Sequence, residues 1–224
     1  MGNIGFRIFT AIERPPRELI MRFAGIPVAN LADNMGRIPC VDTAIRPFSD
    51  APLLGPAFTV KAPQGDNLMF HKAIDMAAPG DIIVVDGEGD TARALCGEIM
   101  YTYAKSRGVA GFVVDGAIRD VYALKGMDFP VYARAVQPNG PYKNGPGEIG
   151  VPVCIGGRVI QPGDILLGDS DGLVIISPRD AEDILKKGRA HNEMERESFR
   201  QIAAGTYDRS WIDKALTEKG CEII

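Results

Sequence analysis

The sequence predicts an α/β fold in which a central β-sheet is covered on both faces, and three observations lead to this prediction. The segment Asp81–Val85 is almost continuously apolar and ends at Asp86-Gly87. A second apolar segment, Gly111–Val114, ends in the same way at Asp115-Gly116, and the residues between the two segments favour a helix. Near-continuous apolar strands joined by a helix are typical of parallel sheets that are buried on both sides.

Composition favours one domain. The chain has 224 residues, of which 46% are hydrophobic, and no Ser/Gly/Pro linker divides it. We therefore expect a single domain over residues 1–224 that ends in a helical extension from about residue 180. The formal net charge is -4 and the Lys and Arg residues are scattered, which argues against a nucleic-acid-binding face. No apolar segment is long enough to span a membrane or to form a signal peptide.

The cysteines carry information about redox environment. Cys40, Cys96, Cys154 and Cys221 are far apart, and none forms the close pair that zinc sites or redox dithiols require. We expect all four to be reduced and most of them to be buried. The sequence therefore predicts a cytoplasmic protein.

The amino-terminal part is predicted to contain three helices and one strand. Arg17–Phe23 forms a short helix after two prolines, and Pro27–Met35 forms a second. Asp66–Ala78 is predicted to form the third helix, which ends at Pro79-Gly80. Ala57–Lys61 is rich in β-branched and aromatic residues and reads as a strand. Three prolines are expected to interrupt the chain before this strand: Pro47, Pro52 and Pro56.

The helix between the two central strands begins at Thr91 or near Gly97. Leu95, Ile99 and Tyr103 follow one another at intervals of four residues. Residues four apart lie on one face of a helix, so the spacing predicts that these three side chains face the core.

The carboxyl-terminal part is predicted to be regular after one long loop. Gln137–Gly150 holds four glycines and three prolines and is too long for an ordinary connection, which indicates a functional or a mobile loop. Gly156-Gly157 is expected to form the turn of a β-hairpin. The remaining elements are a strand at Phe129–Ala133, strands at Ile165–Leu167 and Leu173–Ile176, and a charged helix at Asp180–Ala204.

Several motifs match known sites only in part. Gly87-x-Gly89-x-x-Ala92 follows a strand as a dinucleotide fingerprint does, but the acidic residues around it would repel a pyrophosphate. Asp169–Gly172 begins like a calcium loop, yet Leu173 occupies the next ligand position, so a turn between strands explains it better. His71 and His191 are the only histidines and lack metal-ligand spacing, and there is no Gly-x-Ser-x-Gly elbow.

Arg119 and Asp120 form the most informative pair. They lie just past the carboxyl end of the second central strand, where open α/β sheets bind their ligands. An arginine can hold a carboxylate with two parallel hydrogen bonds, and an aspartate offers hard oxygen ligands to a divalent cation. Adjacent opposite charges at a helix start are also commonly a solvated cap, and the pair by itself does not decide between the two roles.

Longer segments resemble a known family. Gly97-Glu-Ile-Met100 and Gly108–Asp120 resemble the RraA-like family, as do Asp66-Asn67, Pro79–Gly87 and Gly156–Asp164 before Asp171–Val174. The resemblance covers roughly residues 25 to 178. That family contains 4-hydroxy-4-methyl-2-oxoglutarate and 4-carboxy-4-hydroxy-2-oxoadipate aldolases as well as regulators of ribonuclease E. It implies a swivelling β/β/α-type layered fold and ring-shaped trimers with sites between subunits.

The resemblance also implies roles for individual residues. The backbone of Gly97, Glu98, Ile99 and Met100 would form an amide cradle for the pyruvate carboxylate, Arg119 would steady the oxygens, and Asp120 would hold Mg²⁺ or Mn²⁺. Glu98 stands where the aldolases mostly carry Asp, and it would act through a water as general acid and base. Met100 stands where the family usually carries Leu. This is a mild change, because the backbone amides and not the side chain would bind the pyruvate carboxylate.

A further acidic residue is implied from a neighbouring subunit. The family aldolases use one from the carboxyl-terminal region to hold metal-bound water, and Glu193, Glu195 and Glu197 all qualify by position. Of the three, Glu195 is expected to take this role. A solvated helix face is the alternative for each of them.

The resulting expectation is a metal-dependent lyase that releases pyruvate from a 2-oxo acid. Retro-aldol cleavage and oxaloacetate decarboxylation share one enolate, so the sequence does not say which activity is physiological. The alternative is a non-catalytic regulator that binds a macromolecular partner such as ribonuclease E, although the regulators lack an aspartate after the arginine. A third possibility is chemistry on a sugar acid or another hydroxy acid at the same metal site.

Overall fold

The computed structural model describes residues 3–222 and 224, and it has the predicted mixed α/β architecture. The strands are β1 (Phe6–Ile8), β2 (Arg46–Pro47), β3 (Leu53–Lys61), β4 (Ile82–Asp86), β5 (Gly111–Ile118), β6 (Val131–Val136), β7 (Gly147–Ile149), β8 (Val153–Ile155), β9 (Arg158–Ile160), β10 (Ile165–Asp169) and β11 (Gly172–Ile176). The helices are α1 (Arg17–Met21), α2 (Val28–Asp33), α3 (Leu68–Met76), α4 (Glu98–Ser106), α5 (Val121–Leu124), α6 (Ala181–Ala204) and α7 (Trp211–Glu218).

The main sheet is built around four parallel strands. Its order is β1-β7-β3-β4-β5-β6-β2, and β3, β4, β5 and β6 run parallel to one another. β10 pairs antiparallel with the first half of β3, and β11 pairs with β10. Because α3 and α4 connect successive parallel strands, the carboxyl ends of those strands meet at one edge of the sheet.

Both faces of the central strands are buried, as their apolar sequences predict. Along β4, Ile83 and Val85 join one core cluster with α3 and α4, while Ile82 and Val84 join another. The second cluster is closed by Val153, Ile155 and Ile160 of the β8–β9 hairpin. A third cluster joins α1, α2 and α6 to β10 and β11. Because successive residues of a strand point to opposite faces, the first two clusters lie on opposite sides of the sheet. This arrangement confirms the predicted layered α/β fold class.

The strand prediction around Pro56 was too short. β3 begins at Leu53 and continues through Pro56, and Arg46–Pro47 also forms a short strand. β3 pairs with β4 only from Ala57 onwards, and at Pro56 it pairs with β10 alone. Proline is tolerated there because the N–H that it lacks is not needed for pairing with β4.

The predicted two-residue turn and the predicted turn at Asp169–Gly172 are both confirmed. Gly156 and Gly157 have φ values of 50° and 75° and connect β8 to β9. Such positive φ angles at both central residues suit a hairpin turn and favour glycine. Asp169 pairs with Gly172 across the turn between β10 and β11, as expected for a connection between strands.

The stripe predicted on the helix of the central unit was wrong. α4 begins at Glu98, so Leu95 is buried in the preceding loop rather than on the helix. Ile99 and Tyr103 are exposed, with 84% and 46% of their surface accessible. The buried face consists of Met100, Tyr101 and Ala104, because the helix starts three residues after Leu95 and turns a different set of positions inward.

The prediction that most cysteines are buried was also wrong. All four are free thiols, but only Cys96 is buried, whereas Cys40, Cys154 and Cys221 are exposed. Cys96 lies in the core cluster beside α4, while Cys154 alternates outward on the short strand β8.

The buried residues of α6 lie in its first turns. Ala181, Ile184, Leu185 and Gly188 are its buried residues. None of the residues of α7 is buried. The predicted helical extension is thus present, whereas the single-domain assignment for residues 1–224, which includes the undescribed residues 1, 2 and 223, stays a prediction. Within the described residues, no helix combines the length and the apolarity needed to cross a membrane.

A partly buried ion pair ties the amino-terminal segment to the sheet. The Arg14 guanidinium donates two hydrogen bonds to the Asp81 carboxylate, from Nε to Oδ1 and from Nη2 to Oδ2, each 2.7 Å long. The Asp81 side chain is 2% exposed. Removing the arginine would leave a buried carboxylate without its cation.

We expect Arg14→Met to lower the free energy of unfolding by about 3 kcal/mol, because an uncompensated buried charge remains. Urea unfolding measures this change. Arg22→Met is the matched control, since the pair of Arg22 with Glu182 is exposed and contributes less than about 1 kcal/mol. Equal effects of the two substitutions would contradict the assigned role of Arg14.

Candidate functional site

The site lies where β5 ends. β5 runs to Ile118, Arg119 and Asp120 follow it, and α5 begins at Val121. Asp120 has φ 57° and ψ 35°, a left-handed conformation that is uncommon outside glycine but which Asp and Asn tolerate. This turn of the backbone places Arg119 and Asp120 together beside the start of α4.

The loop before α4 is held along the end of β5. The Leu95 N–H donates to the Ala117 carbonyl at 2.8 Å, and the Arg119 N–H donates to the Cys96 carbonyl at 3.0 Å. The strand is irregular between Val114 and Ala117, so its last residues pair in a shifted register. These bonds bring the start of α4 against the Arg119–Asp120 pair.

Gly97 makes this close approach possible. Its backbone is extended, with φ -158°, which any residue can adopt. A Cβ atom at Gly97 would lie 3.0 Å from Cγ and 3.2 Å from Nε of Arg119, and closer still to Oδ2 of Asp120. Glycine is therefore required for space and not for backbone conformation.

The first amides of α4 point to the same place. The Glu98 N–H donates to Asp120 Oδ2 at 3.2 Å, and the Met100 N–H bonds the Gly97 carbonyl at 2.9 Å. Among the described residues, no acceptor bonds the N–H groups of Gly97 and Ile99. Free amides at the positive end of a helix attract an anion such as a carboxylate.

Arg119 and Asp120 are partly exposed and close together. Nε of Arg119 lies 3.6 Å from Oδ2 of Asp120, and their side chains are 43% and 37% exposed. The Tyr101 hydroxyl donates to the Arg119 carbonyl at 2.8 Å. Burial raises the pKa of Tyr101, so its hydroxyl stays protonated and keeps this bond. The pair is therefore fixed through its backbone and open to a ligand at its side chains.

These groups line a cavity of about 170 Å³. Its other polar residues are Asn67, His71 and Lys143, which were not predicted as site residues. The residues that line the cavity are Asn67, His71, Ala94, Leu95, Cys96, Gly97, Ile99, Met100, Arg119, Asp120, Pro141 and Lys143. Pro141 and Lys143 belong to the long loop predicted as functional or mobile, so this loop forms one wall of the cavity.

Asn67 has an unpaired oxygen in the cavity wall. The residue is 2% exposed, and its Nδ2 donates to the Leu95 carbonyl at 2.8 Å. Within residues 3–222 and 224, its Oδ1 is a buried side-chain polar atom without a hydrogen-bond partner. A buried acceptor left unpaired costs about 1–3 kcal/mol, so it indicates a place for a donor from a ligand or water.

The loop wall is held by Asp66 and Arg93. Asp66 Oδ2 accepts hydrogen bonds from the backbone N–H groups of Asn144 and Gly145. Arg93 donates to the Gly140 carbonyl at 2.9 Å and to the Tyr142 hydroxyl at 2.8 Å, and it stacks 4.2 Å from the centre of the Tyr142 ring. The loop is therefore anchored on both sides of Pro141.

His71 lies four residues after Asn67 on the same side of α3. Burial and the nearby Lys143 ammonium lower the pKa of His71, while Asp75 opposes this shift. The imidazole is consequently neutral at pH 7. The spacing Asn67-x-x-x-His71 could have indicated from the sequence that these two side chains lie together, since residues four apart share a helix face.

Glu98 lies outside the cavity lining. Its carboxylate accepts a hydrogen bond from the Tyr122 hydroxyl at 2.9 Å, and both side chains are exposed. Ile99 stands at the cavity edge and Met100 is buried beneath it. The four cradle residues are thus brought together through their backbone, while the Glu98 carboxylate points to Tyr122.

Glu195 contacts its own chain in the monomer. Asn30 Nδ2 donates to Glu195 Oε2 at 2.8 Å, and His191 Nε2 lies 3.6 Å from Oε1. Glu193 and Glu197 both pair with Arg200 on the helix surface. A contribution of Glu195 to another subunit's site stays a prediction.

The donor set suits a hydrated hard cation better than a zinc ion. Among the described parts of the chain, no three His, Cys, Asp or Glu residues cluster in a way that could hold a metal ion. Asp120 is the carboxylate that lines the cavity. Mg²⁺ is commonly bound by one or two carboxylates together with waters and substrate oxygens, so a single carboxylate fits.

Asp86, just before the glycine motif, and Asp115, on the neighbouring strand β5, have a structural role. Asp86 Oδ2 accepts a hydrogen bond from the Cys154 N–H at 3.2 Å, and Asp115 Oδ2 accepts one from the Gly156 N–H at 2.7 Å. Arg134 pairs with Asp115 at 2.6 Å. These carboxylates hold the β8–β9 hairpin over the sheet, which agrees with reading the glycines as turn residues.

Comparison with known proteins identifies close relatives. Residues 28–175 match a family described as RraA-like: Aldolase/RraA. A protein of Halalkalibacterium halodurans named "Putative 4-hydroxy-4-methyl-2-oxoglutarate aldolase" is 36% identical over 201 residues, which span 89% of this chain and 96% of that protein.

Solved structures share the fold. The RNA-processing inhibitor RraA from Thermus thermophilis is 30% identical, with a TM-score of 0.62, over 67% of this chain and 92% of its own. Streptomyces coelicolor RraAS2, described as an unusual member of the RNase ES inhibitor RraA protein family, is 25% identical with a TM-score of 0.74, over 84% and 100%.

We expect Gly97→Ala to weaken binding of pyruvate in the presence of Mg²⁺ by at least about tenfold, because the new Cβ displaces Arg119 and Asp120. Titration calorimetry measures the affinity. Gly126→Ala is the matched control, since a Cβ there would meet no atom within 4 Å. Unchanged affinity in a folded Gly97→Ala protein would contradict this geometry.

We expect His71 to titrate below the ordinary histidine pKa of about 6.5, and Lys143→Met to raise its pKa because a repelling positive charge is removed. Proton NMR of the two histidines of the chain follows both titrations. Lys72→Met serves as control on the neighbouring position. If Lys143→Met leaves the pKa of His71 unchanged, the two side chains are not electrostatic neighbours.

Proposed function

Because the chain belongs to the RraA-like family of aldolases and RraA proteins, we propose that it is a divalent-metal-dependent lyase that releases pyruvate from a 2-oxo acid. Substrates of the 4-hydroxy-4-methyl-2-oxoglutarate type fit the proposal, with oxaloacetate decarboxylation as a second reaction at the same site. The relative named as an aldolase supports the reaction class.

One observation carries the proposal more than any other. Gly97, Ile99, Arg119 and Asp120 all line one small cavity, and no acceptor among the described residues bonds the N–H groups of Gly97 and Ile99. Amides and a guanidinium suit the carboxylate and keto oxygens of a 2-oxo acid, and the aspartate suits a cation. Unpaired amides occur at any solvated helix start, but the buried, unpaired Asn67 oxygen in the lining of the same cavity is not explained by a solvated cap.

Asp120 is the residue that would hold Mg²⁺ or Mn²⁺. When bound, such a cation supplies electron withdrawal from the keto group of the substrate. The αL backbone at Asp120 and the Glu98 N–H that bonds its Oδ2 fix the carboxylate beside the amide cradle. Preorganised ligands of this kind lose little freedom when the cation binds.

Arg119 stabilises the charge that develops during cleavage. The C4 hydroxyl gives its proton to a water, and the electron pair of the O–H bond forms the C4 carbonyl of the leaving fragment as the C3–C4 bond breaks. The electron pair of the C3–C4 bond forms the C2–C3 double bond of pyruvate enolate. The negative charge moves to the keto oxygen, where the guanidinium is expected to contribute about 2.7–4 kcal/mol if it acts as an oxyanion donor does. Protonation of C3 then gives pyruvate.

Glu98 is proposed to hold the water that takes up and returns the proton. Its carboxylate bonds the exposed Tyr122 hydroxyl, which leaves the second oxygen open to a water. Glu195 of the partner subunit is proposed to assist, within a trimer that places sites between subunits. A cytoplasmic location is part of the same proposal and is supported by the four free cysteines. The absence of nucleic-acid partners is proposed as well, and the net charge of -4 supports it.

A second candidate function is regulation through a protein partner such as ribonuclease E. It is supported by the structural relatives that are named as RNA-processing inhibitors. Ile99 at the cavity and Tyr122, which bonds Glu98 outside it, are also exposed, with 84% and 70% of their surface accessible. The Asp120 carboxylate favours the enzyme, because docking a protein does not require a cation ligand in the lining of a cavity.

We expect Asp120→Asn to lower pyruvate release from oxaloacetate in the presence of Mg²⁺ or Mn²⁺ by more than about a hundredfold, because the cation loses its charged ligand. Asparagine is chosen because it tolerates the left-handed backbone. A coupled assay for pyruvate, with and without chelator, measures the rate. Asp128→Asn, at an exposed position, is the matched control.

Two results would count against the enzyme. Pyruvate release from Asp120→Asn at the rate of the unmodified protein would remove Asp120 from the mechanism. No turnover of any 2-oxo acid by the unmodified protein, together with binding to ribonuclease E, would favour the regulator instead.

A further inference from the structure

The short helix α5 carries a tyrosine that contacts the proposed acid–base residue. α5 begins at Val121, directly after Asp120, and Tyr122 is its second residue. The Tyr122 hydroxyl donates to Oε2 of Glu98 at 2.9 Å. One segment therefore supplies the proposed cation ligand and, two residues later, a hydrogen bond to the residue that is proposed to hold the reacting water.

This contact fixes a side chain that is otherwise free to move. Glu98 is exposed, and among the ion pairs of the described residues none includes it. A glutamate side chain has several rotatable bonds, so an exposed carboxylate without a partner samples several positions. The hydrogen bond from Tyr122 selects one of them.

The contact occupies one oxygen of Glu98 and leaves the other open. An ionised carboxylate only accepts hydrogen bonds, so the Tyr122 hydroxyl is the donor and Oε2 is the acceptor. Within residues 3–222 and 224, no donor bonds Oε1. Gly97 and Ile99, on either side of Glu98, line the cavity, so the Glu98 side chain starts beside the cavity.

We propose that Tyr122 is a positioning residue for aldol cleavage, whose hydroxyl holds the Glu98 carboxylate so that Oε1 keeps the water that accepts the C4 hydroxyl proton. This inference rests on the proposed function and adds to it a residue that acts through Glu98. The water takes the C4 hydroxyl proton and gives one of its own protons to Oε1. The electron pair of the O–H bond forms the C4 carbonyl, and that of the C3–C4 bond forms the enolate.

Oxaloacetate separates this proton transfer from the rest of the mechanism. Its C4 carbon leaves as carbon dioxide, so no hydroxyl proton has to be removed before the C3–C4 bond breaks. The electron pair of that bond forms the same pyruvate enolate, and Arg119 serves the enolate in both reactions. A residue that acts through the proton acceptor should therefore affect aldol cleavage more than decarboxylation.

The test compares Tyr122→Phe with the unmodified protein on both substrates, with Mg²⁺ present and the rate without protein subtracted. We expect kcat for 4-hydroxy-4-methyl-2-oxoglutarate to fall about two- to tenfold, the range for one lost hydrogen bond, and kcat for oxaloacetate to stay unchanged. Phenylalanine keeps the ring and removes only the hydroxyl.

Tyr103→Phe is the matched control. Tyr103 lies on α4, and its hydroxyl bonds an exposed carboxylate as well, that of Asp75 at 3.1 Å. Neither residue of this pair lines the cavity. The control therefore removes the same kind of hydrogen bond from the same helix, and it should change neither rate.

A double-mutant cycle connects Tyr122 to Glu98. Glu98→Gln alone should slow aldol cleavage, and adding Tyr122→Phe should slow it little further, because no ionised carboxylate then remains to be positioned. Losses that multiply independently would overturn the inference, since Tyr122 would then act apart from Glu98.

The remaining outcomes distinguish this inference from the proposed function. An equal loss for both substrates in Tyr122→Phe, or no loss for either, overturns the inference and leaves the proposed function in place. Turnover of oxaloacetate alone by the unmodified protein also overturns it, because the inference concerns the C4 hydroxyl. Pyruvate release from neither substrate by the unmodified protein would overturn the proposed function and this inference with it.

Discussion

The close approach of Gly97 to Arg119 and Asp120 is the constraint on which the site depends. Three hydrogen bonds enforce it, from Leu95 to Ala117, from Arg119 to Cys96 and from the Tyr101 hydroxyl to the Arg119 carbonyl. These bonds join the beginning of one helix to the end of the neighbouring strand, so the amides and the two charged side chains cannot separate without breaking main-chain pairing. The absence of a side chain at Gly97 then lets Asp120 reach the Glu98 amide.

A second constraint sets the other side of the cavity. Asp66 is 4% exposed and sits just before α3, where one oxygen accepts from the Leu68 N–H and the other holds the long loop. The same residue therefore positions Asn67 on the helix and Lys143 on the loop. Because the loop rests on buried hydrogen bonds, its many glycines and prolines give it shape more than freedom.

The sequence allowed the central strands and the Arg119–Asp120 pair to be predicted, because continuous apolar runs and the residues that follow them are local signals. Asn67, His71 and Lys143 were not predicted as site residues. The segment that carries Asn67 and His71 and the loop that carries Lys143 lie about seventy residues apart in the sequence, and hydrogen bonds such as that from the Asn144 N–H to Asp66 bring them together. The error in the stripe on α4 arose from the helix start: spacing alone did not show that the residues before Glu98 follow the end of β5 instead.

Two features of the site cost free energy of folding, and they bear on the choice between enzyme and regulator. A non-glycine residue in the left-handed region costs about 1–3 kcal/mol, although aspartate lies at the low end, and a buried unpaired acceptor such as Asn67 Oδ1 costs a similar amount. Docking a protein on the exposed rim at Ile99 would relieve neither cost, because both lie within the cavity. A small ligand that brings a hydroxyl donor to Asn67 would offset the second cost, and a cation bound by Asp120 would use the carboxylate that the left-handed backbone positions. This supports a binding pocket for a small polar substrate over a surface for protein docking alone.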